Sequence, residues 1–232
     1  MANLYGPRIV TDGLVLHLDA GNRKSYPGSG TTWFDMSGNG NNGTNSNMTY
    51  VNDVQGAFSF NNSSSVSTIP NSSSLNPTTG LTIEAWVKFD GNDSDFIFEK
   101  GDVNTQYSLF SHGGSLNDLR FRTYHGGYGS HTDLSVNKTT VGISTGNWYH
   151  CVGSWDGSLK KIFVNGALKG QQSGITANLV TRTTGAAVGR FGGTSTGYYF
   201  GGDIAKVAIY SIGLNNSQVL NNYNALKGRF GL

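Results

Sequence analysis

The sequence predicts an all-β fold, a sandwich of two antiparallel sheets with one short helix near the C-terminus. Three observations predict it. Hydrophobic residues alternate at period two in many short runs, with no helical pattern between them. Gly supplies 34 of the 232 residues and charged residues only 13%, a composition of turns and of surfaces solvated by amides and hydroxyls. Twelve Phe, eleven Tyr and four Trp provide the large apolar surface that a disordered chain lacks. One domain over residues 1–232 suits this length, and no internal repeat or second domain is visible.

The elements follow in order. Leu14 to Leu18 alternates and ends on Asp19, and a polar loop then passes Trp33 to reach the Gly/Asn-rich turn from Asp35 to Thr44. Ala57 to Phe60 is a short strand. The Ser/Asn-rich stretch from Asn61 to Thr79 reads as a strand between loops, kept packed by Val66, Ile69 and Leu75. In Leu81 to Phe89 the residues Leu81, Ile83, Val87 and Phe89 share one face. Thr82, Glu84, Trp86 and Lys88 share the other. Phe96 to Glu99, Tyr107 to Phe110 and Leu119 to Tyr124 continue the pattern. Trp148 to Trp155 turns at Asp156-Gly157-Ser158 into Lys161 to Val164, and Asn165-Gly166 is a hairpin signal because both residues tolerate positive φ. Ala186 to Gly189 and Ile204 to Tyr210 complete the strands. Asn215 or Asn216 can cap a helix with Val219, Leu220, Tyr223 and Leu226 on one face, ended by Gly228.

Several function classes are excluded. The formal charge of +2, with no Lys/Arg run, does not point to nucleic acid. No apolar stretch approaches the ~20 residues that span a bilayer, and the N-terminus lacks the features of a signal peptide. The expected site of synthesis is therefore the cytoplasm. Cys151, the lone cysteine, rules out an intrachain disulfide and reads as a small buried hydrophobe.

The segment from Gly13 to Thr44 closely resembles the entry segment of laminin-G-like domains of the concanavalin A-like lectin/glucanase superfamily. Ile83 to Val87 (IEAWV) is similar to that family's central strand, and Asn147 to Asp156 through Phe163 to Gly166 to its long hairpin. Phe200 to Tyr210, followed by Asn222 to Ala225, is similar to its closing strand and helix. The resemblance implies a concanavalin A-like jelly roll. It does not fix a function, because the same fold serves lectins, enzyme appendages, adhesion modules and virion proteins. Such a domain with a free Met1, no leader and no attached enzyme resembles stand-alone virion proteins of tailed bacteriophages. That implies a non-catalytic capsid decoration or fibre component, present in many copies or as a homo-oligomer among other virion proteins. It would touch host-cell glycans. The alternative is a stand-alone carbohydrate-binding lectin of cellular origin.

The glucanase branch needs a pair of carboxylates flanking the glycosidic bond, commonly Glu-x-Asp-x-x-Glu. Here Glu84 and Glu99 are the only glutamates and no such motif exists, so no enzyme is expected. A structural Ca²⁺ is implied at the family-matching positions Asp19, Asp35 and Asp203, with Asn42 and turn carbonyls adding oxygens. Ala205 stands where relatives often carry a further acid. The other reading is that Asp35 caps a turn and Asp19 is solvated. The rings of Trp33, Tyr124, Tyr128, Tyr198 and Tyr199 lie beside Gly and polar residues and are candidates for stacking on a sugar. They could equally close the ends of the sandwich. His17 and His150 fall within strands and read as hydrogen-bonded structural groups.

Overall fold

The alternation becomes two eight-stranded sheets, all of whose strand pairs are antiparallel, in a computed structural model that describes residues 7–91, 96–101, 105–113, 117–126, 130–192 and 198–232. The strands are β1 (Leu14–Asp19), β2 (Thr32–Trp33), β3 (Gly43–Ser46), β4 (Thr49–Val51), β5 (Ala57–Asn61) and β6 (Val66–Ile69). There follow β7 (Leu81–Phe89), β8 (Phe96–Lys100), β9 (Tyr107–His112), β10 (Asp118–Tyr124) and β11 (His131–Asn137). The last are β12 (Trp148–Trp155), β13 (Leu159–Val164), β14 (Ala167–Ser173), β15 (Ala186–Val188) and β16 (Gly201–Tyr210). The first sheet runs β14-β13-β12-β7-β16-β5-β4, with β1 pairing the second half of β16. The second runs β11-β10-β9-β8-β15-β6-β3-β2.

The inner faces of both sheets meet in one core. Leu81, Ile83, Ala85 and Val87 of β7 and Ile204, Val207 and Ile209 of β16 face Phe98, Leu109, Leu119 and Phe121 of the second sheet. Burying a side chain of this size contributes roughly 1.5–3 kcal/mol. Packing is close where a side chain is missing: Phe121 fills the space above Gly153, where an added Cβ would come within 2.5 Å of its ring. Cys151 is buried and free, and burial pushes its thiol up to about 12.

The chain then covers the outer face of the first sheet. Helix α1 (Asn216–Leu226) begins at Asn215 in a capping box, whose side chain accepts from Gln218 N–H while the Gln218 side chain accepts from Asn215 N–H. A 3-10 turn at Lys227–Phe230 lays Phe230 on Trp86, with ring centroids 3.9 Å apart and planes within 6°. Thr82, Glu84 and Trp86 of β7 are buried on this outer face, while Lys88 at the strand's end stays partly exposed. Among them, Glu84 accepts from Lys206 Nζ at 2.6 Å and from Asn222 Nδ2 at 2.6 Å. Burial alone would raise the Glu84 carboxyl, but the Lys206 ammonium and further hydrogen bonds hold it well below the usual carboxylate range.

Three expectations are corrected. The α-helix ends at Leu226, next to the expected Gly228, but Gly228 is not the left-handed residue that closes it: a 3-10 turn follows and Gly231 takes the left-handed φ of 71°. Leu220 is exposed, and the buried face carries Val219 and Asn222 because Asn222 is needed by Glu84. The His150 ring is buried but makes no hydrogen bond: its Nε2 stands 3.5 Å from Glu84 and the ring lies against Trp86. His17 Nε2 is likewise buried without a partner.

Candidate binding cleft

On the outer face of the second sheet the residues opposite the core remain open. In β10 the core side is Leu119 and Phe121, so strand alternation turns Arg120 and Arg122 outward. Register places Arg120 opposite Phe110 of β9, and Phe110 opposite Phe96 of β8. The two Phe rings stack with centroids 4.6 Å apart and planes within 1°. Arg122 crosses to β11, where Nε and Nη2 each donate to Asp133 at 2.7 Å. Arg120 Nε donates to both oxygens of Asp118, at 2.9 and 3.0 Å. Burial alone would raise the Asp133 carboxyl, but the Arg122 hydrogen bonds hold it below its usual range. The guanidinium of Arg122 also lies 5.0 Å from the Phe110 ring centre.

Phe191 and Tyr198 close one side of this row and complete a cleft of about 230 Å³ with Phe96, Phe110, Arg120 and Arg122. Tyr198 is 60% exposed and holds a left-handed φ of 57°, a strained state for an aromatic residue. Its ring meets Phe191 edge-on at 5.9 Å and Phe96 at 6.4 Å. Chemically the cleft offers an aromatic wall, outward guanidinium groups and two carboxylates already paired with them.

The predicted site residues are scattered relative to this cleft. Tyr198 belongs to it. Trp33 is fully buried, edge-on to Phe58 at 4.8 Å, because β2 points alternate residues inward and leaves Phe34 exposed instead. It cannot stack on a sugar. Tyr124 is buried at the end of β10, against the His131 ring. Tyr199 is half-buried in a bridge with Arg190. Tyr128 lies outside the described residues. Phe96, Phe110, Arg120 and Arg122 were not singled out from the sequence, although the alternation in β10 pointed both arginines away from the core.

The donor set expected for Ca²⁺ does not fit that ion as folded. Asp19 Oδ1 accepts from Gly21 N–H at 3.0 Å and from Arg229 Nη1 at 2.6 Å. Asp35 accepts from the N–H groups of His17, Ser37 and Asn41 and from the Ser37 hydroxyl, at 2.7–2.9 Å. Asn42 Oδ1 accepts from Asp35 N–H at 2.8 Å, and Asp203 pairs with Lys88 at 2.6 Å. Both oxygens of Asp35, one each of Asp19 and Asp203, and the Asn42 side-chain oxygen therefore answer protein donors. Among the described residues no three of His, Cys, Asp and Glu stand together as a metal would require.

Comparison with known proteins gives the following. A family model described as Concanavalin A-like lectin/glucanases superfamily (Laminin_G_3) matches residues 60–220. No curated protein matches the chain. Among solved structures, the chain is similar to the binding domain of Paraclostridial Mosquitocidal Protein 1, with a TM-score of 0.72 and 16% identity over 93% of this chain and 52% of that one. It is similar to domain 4 of AbnA, an extracellular arabinanase of Geobacillus stearothermophilus solved with arabinotriose. There the TM-score is 0.68, with 21% identity over 90% and 98%. The binding domain of botulinum neurotoxin DC in complex with SialylT gives 0.70, with 13% identity over 93% and 52%. The chain spans about half the length of the two toxin domains. At these identities the likeness is one of fold.

Proposed function

We infer the role of this chain from its membership: it belongs to the Laminin_G_3 family of the concanavalin A-like lectin/glucanases superfamily. It is a non-catalytic module that binds glycans in the cleft on the outer face of the second sheet. The observation that carries this reading is Tyr198, a strained and exposed ring held over an aromatic wall beside two arginines. A sugar presents an apolar C–H face to such a ring and hydroxyls to guanidinium donors. The cleft is smaller than the ~300–1,000 Å³ of typical small-molecule pockets, which suits a single sugar unit. Similar folds solved with arabinotriose and with SialylT support a saccharide as the ligand class.

Catalysis is disfavoured by placement. Glu84 lies on the first sheet beneath the C-terminal helix, paired with Lys206, while Glu99 lies on the second sheet and accepts from Thr105 and Gly192 N–H. Two acids on different sheets cannot flank one glycosidic bond. The neighbouring folds described as binding domains agree with this.

For the setting, we propose display in many copies on a bacteriophage virion, among other virion proteins. The low charge and the abundance of Gly, with its Asn- and Ser-rich turns, support it. So does the shallowness of the cleft, since multivalent display can raise avidity by about 10²–10⁴. A glycan array probed with monomer and with an artificially multimerised form tests the binding reading. Binding by the multimer, lost in Tyr198→Ala with an unchanged melt, is expected; a blank array for the multimer refutes it. Antibody labelling of purified particles tests the setting separately, and absence from particles would leave a free lectin.

A further inference from the structure

We propose that a second site, a crevice at one end of the sandwich beside Lys138, binds an acidic sugar whose carboxylate pairs with the Lys138 ammonium. The crevice forms where the end of β7, Gly113 and Asn117 between β9 and β10, and the β11–β12 connection meet. Its volume is about 510 Å³, and Phe89, Asn117, Lys138, Thr139, Ser144 and Thr145 are among its lining residues. It shares no lining residue with the cleft around Tyr198, so either site can fail without the other.

The lysine defines this site. Lys138 is only 9% exposed, and its Nζ donates to Ser111 Oγ at 2.7 Å in a buried hydrogen bond. The ammonium also lies 5.6 Å from the Phe89 ring centre. Among the described residues no carboxylate pairs with it. The other buried lysines are treated differently by the fold. Lys206 has Glu84, Lys100 donates to three oxygens of Asn71, Arg182 and Thr184, and Lys160 donates to both the carbonyl and hydroxyl of Thr132. An ammonium has three donors, and burying its charge without a counterion is costly. Lys138 differs from them in having a single acceptor, the Ser111 hydroxyl, and among the described residues no carboxylate partner, at the wall of the crevice.

The remaining lining selects the ligand class. One ammonium, without a second cation, matches the single charge of a carboxylate better than the multiple charge of a phosphate. The exposed hydroxyls of Thr139, Ser144 and Thr145 suit the hydroxyls of a sugar ring. Asn117 Nδ2 donates to Thr139 Oγ1 at 2.9 Å and fixes that wall. Gly91, at φ 95°, forms another part of the lining, where a Cβ would come within 3.1 Å of Thr145 Oγ1.

The test is an NMR titration of the labelled full chain with D-glucuronate and with D-glucose, which lacks the carboxylate. Glucuronate should shift the amides of Lys138, Thr139 and Thr145 in a saturable manner, and glucose should not. Lys138→Met keeps the stem and removes the charge; it should weaken glucuronate at least about tenfold, a 1.4 kcal/mol effect. Thr145→Trp, which fills the mouth and leaves the ammonium in place, should do the same and decides the matter if Lys138→Met does not fold. Equal shifts from glucose, shifts confined to other surfaces, or unchanged affinity in Thr145→Trp overturn the proposal. Sodium sulfate reproducing the glucuronate shifts at equal concentration would also overturn it, by removing the sugar from the assignment.

Discussion

On the outer face of the first sheet, Trp86 lies under Phe230 while Glu84 and Lys206 are fully buried against each other. On the outer face of the second, Arg122 and Asp133 make an equally short pair at 2.7 Å, but about a fifth of each side chain stays open to water. Both faces descend from the same period-two alternation, and both mix charges with aromatic rings. The difference is the C-terminal segment, which covers one and not the other. On the first, the covered charges Glu84 and Lys206 find their partners inside the protein, and that face has become a second small core. An uncovered pair can also be solvated by water.

The two faces should differ most at Lys206. Lys206→Met should cost about 3–5 kcal/mol in urea unfolding, because Glu84 is left as an unpaired buried carboxylate. Adding Glu84→Gln should return much of that loss. The matching deletion on the open face, Arg122→Ala, should cost only about 1 kcal/mol or less, because water can solvate Asp133. Equal losses at the two positions would mean that the faces do not differ in the way described.

Acid distinguishes the faces next. Burial, then the charge of Lys206, lowers His17 from 6.5 to about 4, against weaker raising effects from Asp19, Glu84 and Asp35. The unfolded chain therefore takes up this proton first as pH falls. Stability attributable to His17 is complete above pH 6.5 and is lost progressively toward pH 4. Melts of His17→Gln should be flatter than wild type across that window, and parallel curves would count against the assignment. The smallest expected effect is none. Chelation with EDTA should leave the melting temperature unchanged, because Asp19, Asp35 and Asp203 each already serve protein donors. A fall in the melt on chelation would restore the calcium reading.

Much of the frame was legible because both sheets rely on strong alternation. Leu81–Phe89 and Trp148–Trp155 match the expected spans, and Asn165 and Gly166 take the positive φ values of 51° and 75° that the hairpin requires. The edge strands β11 and β14 were not legible. His131–Asn137 and Ala167–Ser173 are largely polar, as suits edges facing water, and carry little periodicity. Trp33 misled because a Trp in a polar loop looks exposed, whereas two residues of strand suffice to turn it inward. The cleft was hidden for a deeper reason. Phe96, Phe110 and Arg120 become neighbours only through the register of three strands, which local sequence does not contain.

The position of β16 has a consequence for how the molecule is made. It is the last strand in the chain, yet it lies in the middle of its sheet, between β7 on one side and β5 and β1 on the other. Leu14 can meet Tyr210 only after all the strands between them have been synthesised. Until then β7, β5 and β1 hold open edges, and a long loop must close before their pairing contributes any stability. Assembly of the first sheet is thus a late event, with a window in which exposed edges can pair with other chains. Nascent chains released before residue 201 would keep that window open permanently, joining one another where β16 should have been.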